Sequence, residues 1–222
     1  MSSSSILTRF ARGIGIAPEG LPYVLGMFLF AILLHWIAPA WLASFFLLLA
    51  VAVGAFFRDP HRASFSPATA FLSAADGKVT DVREGPLPGD PEGERFRRVS
   101  VFMSPLNVHV NRAPASGGVV DVAHTPGKFL AAFRDDANEH NERNLITFTG
   151  ADGHRFAIMQ IAGYLARRIV CHIRPQDSVV RGERIGLIMF GSRVDHYIPL
   201  GYRVTVQTGD RVSAGVSVIG DL

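Results

Sequence analysis

The chain has little cysteine, little lysine and, over one long stretch, no formal charge. Its one cysteine, Cys171, excludes an internal disulfide and any cysteine-rich metal site. Cys171 lies in an apolar run and reads as a small buried residue. Lysine occurs only at Lys78 and Lys128, so nearly all of the 22 basic residues are arginine. Arginine clamps phosphate or carboxylate through two hydrogen bonds, and a biased genome composition accounts for the ratio equally well. The net charge of +3 is small and spread along the chain. That distribution does not argue for a nucleic-acid partner and suits a protein beside anionic headgroups. His124, His140, His154, His172 and His196 lack ligand-like spacing, so no metal site is expected.

The third deficit is the most local. Leu21 to Phe57 contains no Asp, Glu, Lys or Arg. Pro39 divides it into two apolar runs, Leu21–Ile37 and Trp41–Phe57, each of 17 residues. That is the lower end of the roughly 17–25 residues a spanning helix needs. The expectation is a membrane-anchoring helical hairpin that crosses or deeply enters the bilayer; a buried helical pair in a soluble core is the competing reading. Trp36 and Trp41 flank the proline where an interfacial belt would place them. Arg9 and Arg12 precede the hairpin and Arg58 and Arg62 follow it, which puts both ends in the cytoplasm.

Residues 1–20 read as an N-terminal lead with Ile6, Leu7, Phe10, Ala11 and Ile14 at roughly helical spacing. Residues 58–222 read as a mainly β domain of short apolar runs bounded by Gly, Pro, Asp and Asn. Two segments, 176–186 and 209–220, share the pattern Asp-x-Val-x-x-Gly, the turn grammar of lipoyl-like barrel-sandwich folds. Asp76-Gly77 opens another strand of that kind.

Gly191-Ser192 is the pair a self-processing chain needs. Glycine leaves its carbonyl carbon open, and serine carries a hydroxyl close to the scissile nitrogen. Taken alone, the pair is a turn between two strands. Its company is more specific. Ala74-Ala-Asp-Gly-Lys-Val79 comes first, then Phe102-Met-Ser-Pro-Leu-Asn-Val-His-Val-Asn-Arg-Ala-Pro114. Asn141-Glu-Arg-Asn144 and Gln160-Ile-Ala-Gly-Tyr-Leu-Ala-Arg-Arg-Ile-Val170 follow, and Phe190-Gly-Ser-Arg193 closes the series. In this order, with the hairpin and the Phe56–Arg62 junction, they resemble the phosphatidylserine decarboxylases, specifically the shorter branch with Phe-Gly-Ser-Arg at its processing site. The longer branch carries two histidines where this sequence keeps His109.

The resemblance implies a precursor that cleaves itself between Gly191 and Ser192 into a large chain, 1–191, and a small chain, 192–222. Ser192 would become a covalent pyruvoyl cofactor that forms a Schiff base with the substrate amine. Cleavage needs a base for the Ser192 hydroxyl. His109, oriented by Asp76, would supply it in a serine-protease-like arrangement, and His109 would also protonate the product carbon. Arg167, Arg168 and Arg193 are candidates for the substrate's phosphate or carboxylate. The implied reaction is decarboxylation of phosphatidylserine to phosphatidylethanolamine at the cytoplasmic face of the cell membrane. The implied partners are that lipid, the two chains of one precursor for each other, and a second copy in a homo-oligomer. The alternatives are a decarboxylase of another serine-headed lipid, such as archaetidylserine, and a non-catalytic membrane-tethered barrel-sandwich binding module.

Overall fold

The structure is a computed structural model and describes residues 11, 13–90, 93–127, 141–151, 153–163, 168–189 and 192–221. The chain divides into two compact units, Met1–His61 and Arg62–Leu222. Residues 1–10 and 12, with most of the expected apolar lead, lie outside the described residues.

The first unit holds two helices, α1 (Leu21–Ile37) and α2 (Ala40–Phe56). Pro22 sits in the first turn of α1, where a missing N–H costs nothing. Pro39 separates the helices because it cannot continue α1 and is tolerated at the start of α2. Small residues face the partner helix: Ala31, Ala43 and Ala50 are buried, and a Cβ at Gly54 would touch Val24. Phe30 and Phe46 meet edge-on at 4.8 Å. The flanks are pinned by Ala17 N–H to Phe57 O (2.7 Å) and Asp59 N–H to Gly15 O (2.7 Å). No helix among the described residues is long and apolar enough to cross a membrane. At about 1.5 Å per residue, 17 residues reach roughly 25 Å, short of the roughly 30 Å hydrocarbon core. The hairpin is present; the full crossing expected as one of its forms is not supported.

The second unit is built from strands. An eight-stranded antiparallel sheet contains, in spatial order, β13 (Arg211–Val212), β2 (Gly77–Pro86), β3 (Arg95–Met103), β11 (Ser192–Pro199), β7 (Arg155–Ile161), β6 (Arg143–Gly150), β5 (Gly117–Thr125) and β9 (Ser178–Val179). Two three-stranded sheets accompany it: β4 (Val110–Arg112), β10 (Arg184–Ile188) and β8 (Ile169–Cys171), and β1 (Phe71–Leu72), β14 (Val218–Asp221) and β12 (Arg203–Val204). One face of the large sheet closes on a core that includes Phe71, Val99, Val101, Ile146, Phe148 and Phe156.

The Asp-x-Val-x-x-Gly echo is a structural repeat. Asp177 Oδ2 accepts from Arg174 N–H at 2.8 Å, and Asp210 Oδ2 accepts from Gln207 N–H at 2.9 Å. Val119 N–H reaches Asp177 O and Val79 N–H reaches Asp210 O, both at 2.8 Å. The β2–β3 and β5–β6 ladders each slip once, at Val79/Asp81 and Val119/Asp121. The repeat thus extends to two hairpins, β2–β3 and β5–β6, each clasped by one Asp-x-Val-x-x-Gly arm.

Candidate active site

The site assembles where β3, β4, β10 and β11 end or begin. Met103 closes β3 and pairs across the ladder with Ser192, the first residue of β11. Ser192 is fully buried, and its hydroxyl donates to Met103 Sδ at 3.4 Å. A thioether is a weak acceptor, so this bond holds the hydroxyl only loosely. The turn after Met103 is locked by Asn107, whose Oδ1 accepts from Ser104 N–H (2.9 Å) and Ser104 Oγ–H (2.7 Å). It reverses the chain into β4 and sets His109 against β10, where Ile188 N–H donates to His109 O at 3.2 Å. Just beyond β10, Met189 N–H donates to Arg168 O at 3.2 Å. The backbone of Ile188 and Met189 therefore runs between His109 and Arg168.

His109 is buried, with Nδ1 3.0 Å from Asn107 O. A carbonyl only accepts, so Nδ1 carries the proton and Nε2 holds the lone pair. That is the tautomer able to take a proton from a hydroxyl. The expected orienting carboxylate is engaged elsewhere. Asp76 Oδ1 accepts from Ala214 N–H at 2.7 Å, and Arg62 grips both carboxylate oxygens at 2.5 and 2.8 Å. Asn107 O is thus a partner of the His109 Nδ1. The repeat explains the difference. Ser116 occupies the matching place in the second hairpin, where its Oγ accepts from Arg181 N–H at 3.0 Å. A side-chain acceptor just before the strand-opening glycine clasps the arm in both halves. Asp76 still borders the site, because Ala74 O in the same turn accepts from Arg112 N–H at 3.0 Å.

Arg193 is placed differently from the expectation of a substrate ligand. Side chains alternate along a strand, so Arg193 projects from the face of β11 opposite to Ser192. There its guanidinium grips Asp195, Nε to Oδ1 at 2.9 Å and an Nη2–H bond to Oδ2 at 3.2 Å, both side chains buried. Arg168 is exposed, beside the end of β10. Gly191 and Arg167 lie outside the described residues. His196, four residues after Ser192, is a strut of the fold. It accepts from Ala74 N–H at Nε2 (2.8 Å), and its Nδ1–H faces Val99 O (3.0 Å). Complete burial pushes its pKa down to about 4, so it is neutral near pH 7.

Asn111, Gln160 and Asn144 lie in the segments quoted above, where residue type alone suggests no more than local hydrogen bonding. The structure brings all three together in the interior. Asn144 Nδ2–H donates to Gln160 Oε1 (2.9 Å), and Gln160 Nε2–H donates to Asn111 Oδ1 (2.8 Å). The available signal was an amide inside the apolar run Phe156-Ala-Ile-Met-Gln-Ile161. A buried strand tolerates such a residue only when its polar atoms are satisfied.

Comparison with known proteins agrees with the geometry. The sequence profile of the family "Phosphatidylserine decarboxylase" matches residues 49–220. The chain is similar to the phosphatidylserine decarboxylase proenzyme of Ralstonia nicotianae, 44% identical over 93% of this chain and 95% of that protein. It is 46% identical to the proenzyme of Solidesulfovibrio magneticus, over 92% and 95% of the two chains. With that of Desulfotalea psychrophila the identity is 40%, over 93% and 96%. A profile match across most of the chain and near full-length relatives at this identity, on a strand that opens with a buried serine, establish that the chain belongs to the phosphatidylserine decarboxylase family.

Proposed function

We propose that the chain is a proenzyme that cuts itself between Gly191 and Ser192 and, once mature, decarboxylates phosphatidylserine to phosphatidylethanolamine in phospholipid biosynthesis. The observation that carries this reading is the pairing of the buried Ser192, at the head of β11, with Met103, the last residue before the turn that leads to His109. In the precursor, the Ser192 hydroxyl gives its proton to His109 Nε2, and Oγ bonds to the Gly191 carbonyl carbon. The carbon–nitrogen bond breaks as that proton passes to nitrogen, leaving an ester. Elimination releases the Gly191 carboxylate and leaves dehydroalanine at 192, and its hydrolysis releases ammonia and leaves a pyruvoyl group. The buried Ser192, held only by a thioether, fits a residue that must change its bonding during maturation. When present, that group supplies an electrophilic carbonyl for the substrate amine and a sink for the electrons that carbon dioxide leaves behind.

The protein's own residues do the rest. His109 Nε2 returns a proton to the product carbon. Arg168, exposed at the end of β10, and Arg167 beside it in the chain offer charge to the headgroup phosphate or carboxylate. Asp76 acts through the turn it clasps, which rests Ala74 O on β4. The buried Arg193–Asp195 pair anchors the head of the small chain within the sheet.

The membrane is the proposed location, with the catalytic unit on the cytoplasmic side. Trp36 is 81% exposed and Trp41 69%, at the turn of the hairpin. Leu29, Leu33, Leu48 and Val51 are also exposed, which a helix pair in water would disfavour. A hairpin of this length would enter the bilayer from one side and tether the catalytic unit to the membrane. The direct test is carbon dioxide release from vesicles containing phosphatidylserine. Wild type should release it and Ser192→Ala should not; equal release by both would overturn the reading.

A further inference from the structure

Ser192 and Asn111 converge on one sulfur atom. The Ser192 hydroxyl lies 3.4 Å from Met103 Sδ, and Asn111 Nδ2 lies 3.9 Å from the same atom. Asn111 Nδ2 also donates to Ala74 O at 3.4 Å. Both contacts of the Asn111 amide are long and one acceptor is a thioether, so its protons remain available to a stronger acceptor. Its orientation is determined. A backbone carbonyl only accepts, so the nitrogen must face Ala74 O and the oxygen must face Gln160. Gln160 must then donate, which turns its own oxygen to Asn144. The three amides form a one-way chain from β6 through β7 to β4, linking the large sheet to the small sheet beneath the site. Asn111 and Gln160 are fully buried and Asn144 nearly so. Such a chain holds an amide rigidly, because reversing one member would oppose like atoms at every junction.

We propose that the Asn111 side-chain amide is the hydrogen-bond donor for the oxygen carried by residue 192. In the precursor that oxygen is Oγ on Cβ; Oγ departs with the Gly191 carboxylate, and in the mature enzyme the acceptor would be the 2-oxo oxygen that replaces the nitrogen on Cα. Gln160 and Asn144 are positioning residues that keep the donor end of Asn111 turned toward it. The assignment rests on the proposed self-cleavage at Ser192. It adds a preorganised dipole where charge develops, the type of contribution that commonly governs such sites.

The test uses the full-length chain and two readouts: the half-time of self-cleavage in freshly translated protein, and the rate at which the mature small chain forms a hydrazone with phenylhydrazine. Asn111→Asp keeps the shape and the acceptor for Gln160 but removes the donor. It should slow cleavage at least tenfold and change the hydrazone rate. A carboxylate at 111 carries a burial cost, so Gln160→Met, which keeps length without an amide, is the second variant. It should slow cleavage several-fold and change the hydrazone rate in the same direction. Asn141→Ala is the control. It removes a buried amide that donates instead to Ala162 O at 2.7 Å, and should lower thermal stability while leaving cleavage and hydrazone rates near wild type. Wild-type rates for Gln160→Met would overturn the proposal, as would equal slowing by Asn141→Ala. Wild-type protein that never cleaves would instead overturn the proposed function, and this assignment with it.

Discussion

Each residue of the candidate site is defined by what its neighbours leave it free to do. Ser192 donates to a thioether, and His109 Nδ1 faces a carbonyl, which orients the ring. Ser192→Ala and His109→Ala should both remain uncut on denaturing gels; efficient cleavage of the histidine variant would move the base elsewhere. His196 serves stability instead. Its folded pKa, about 4, lies below the ordinary value of 6.5, so the unfolded chain binds a proton first as pH falls. Stability should be full above pH 6.5, fall through the window from 6.5 to 4, and level off below, by on the order of 3 kcal/mol from this group. Urea melts at pH 7 and pH 4.5 measure it, and His196→Gln should flatten that part of the profile. Ser192 and His109 stand out in the sequence through the order of the segments around them, since Gly-Ser alone reads as a turn and a lone histidine between valines as a core residue. Asn107 reads from its residue type as a turn hydrogen-bonder, and its side chain does lock the turn after Met103; that its backbone carbonyl meets His109 Nδ1 has no signal in residue type. The Arg193–Asp195 pair was equally hidden, since only strand alternation shows that it points away from Ser192.

At the scale of elements, apolar runs bounded by turn residues mark strands over 78–82, 97–103, 108–111, 117–122, 144–149, 156–161, 169–172, 184–190, 196–199 and 203–206, and each overlaps one of β2 to β8, β10, β11 and β12. The pattern misses β14 and the two-residue β1, β9 and β13. It also began β11 late, at His196 rather than Ser192, because Ser-Arg-Val-Asp does not look like a buried strand until its charges are seen to pair. The Asp-x-Val-x-x-Gly echo proved more informative than its brevity suggested, because each copy supplies the arm that clasps one hairpin. Close backbone approach fixes the strand beneath the site. A Cβ at Gly186 would stand 2.2 Å from Val170 O, so Gly186→Ala must spread β10 from β8. The expected cost is about 2–4 kcal/mol, with slower self-cleavage, readable by thermal melt and gel. Asp76→Ala strips Arg62 and Ala214 N–H of their shared partner; it should cost about 2–4 kcal/mol and also impair cleavage, through the turn.

At the scale of the molecule, self-cleavage would cut the chain without separating it. The small chain carries β11, paired on both sides by β3 and β7 of the large chain, β13, paired with β2, and β14, paired with β1. The two chains should copurify under native conditions and part only on denaturation. The charge-free stretch made a helical hairpin legible from the sequence, and the structure sets its helices at 17 residues each; the proposed membrane attachment is carried by its exposed apolar residues. Deleting residues 1–57 should therefore reduce sedimentation with phosphatidylserine vesicles.

The central claim is that Ser192 is encoded as a serine and functions as something else. Mass measurement of the purified wild-type protein under denaturing conditions tests it directly. The account predicts a large chain ending at Gly191 and a small chain of residues 192–222 whose first residue has the mass of a pyruvoyl group. An intact species of 24.1 kDa, with no small chain, would contradict it.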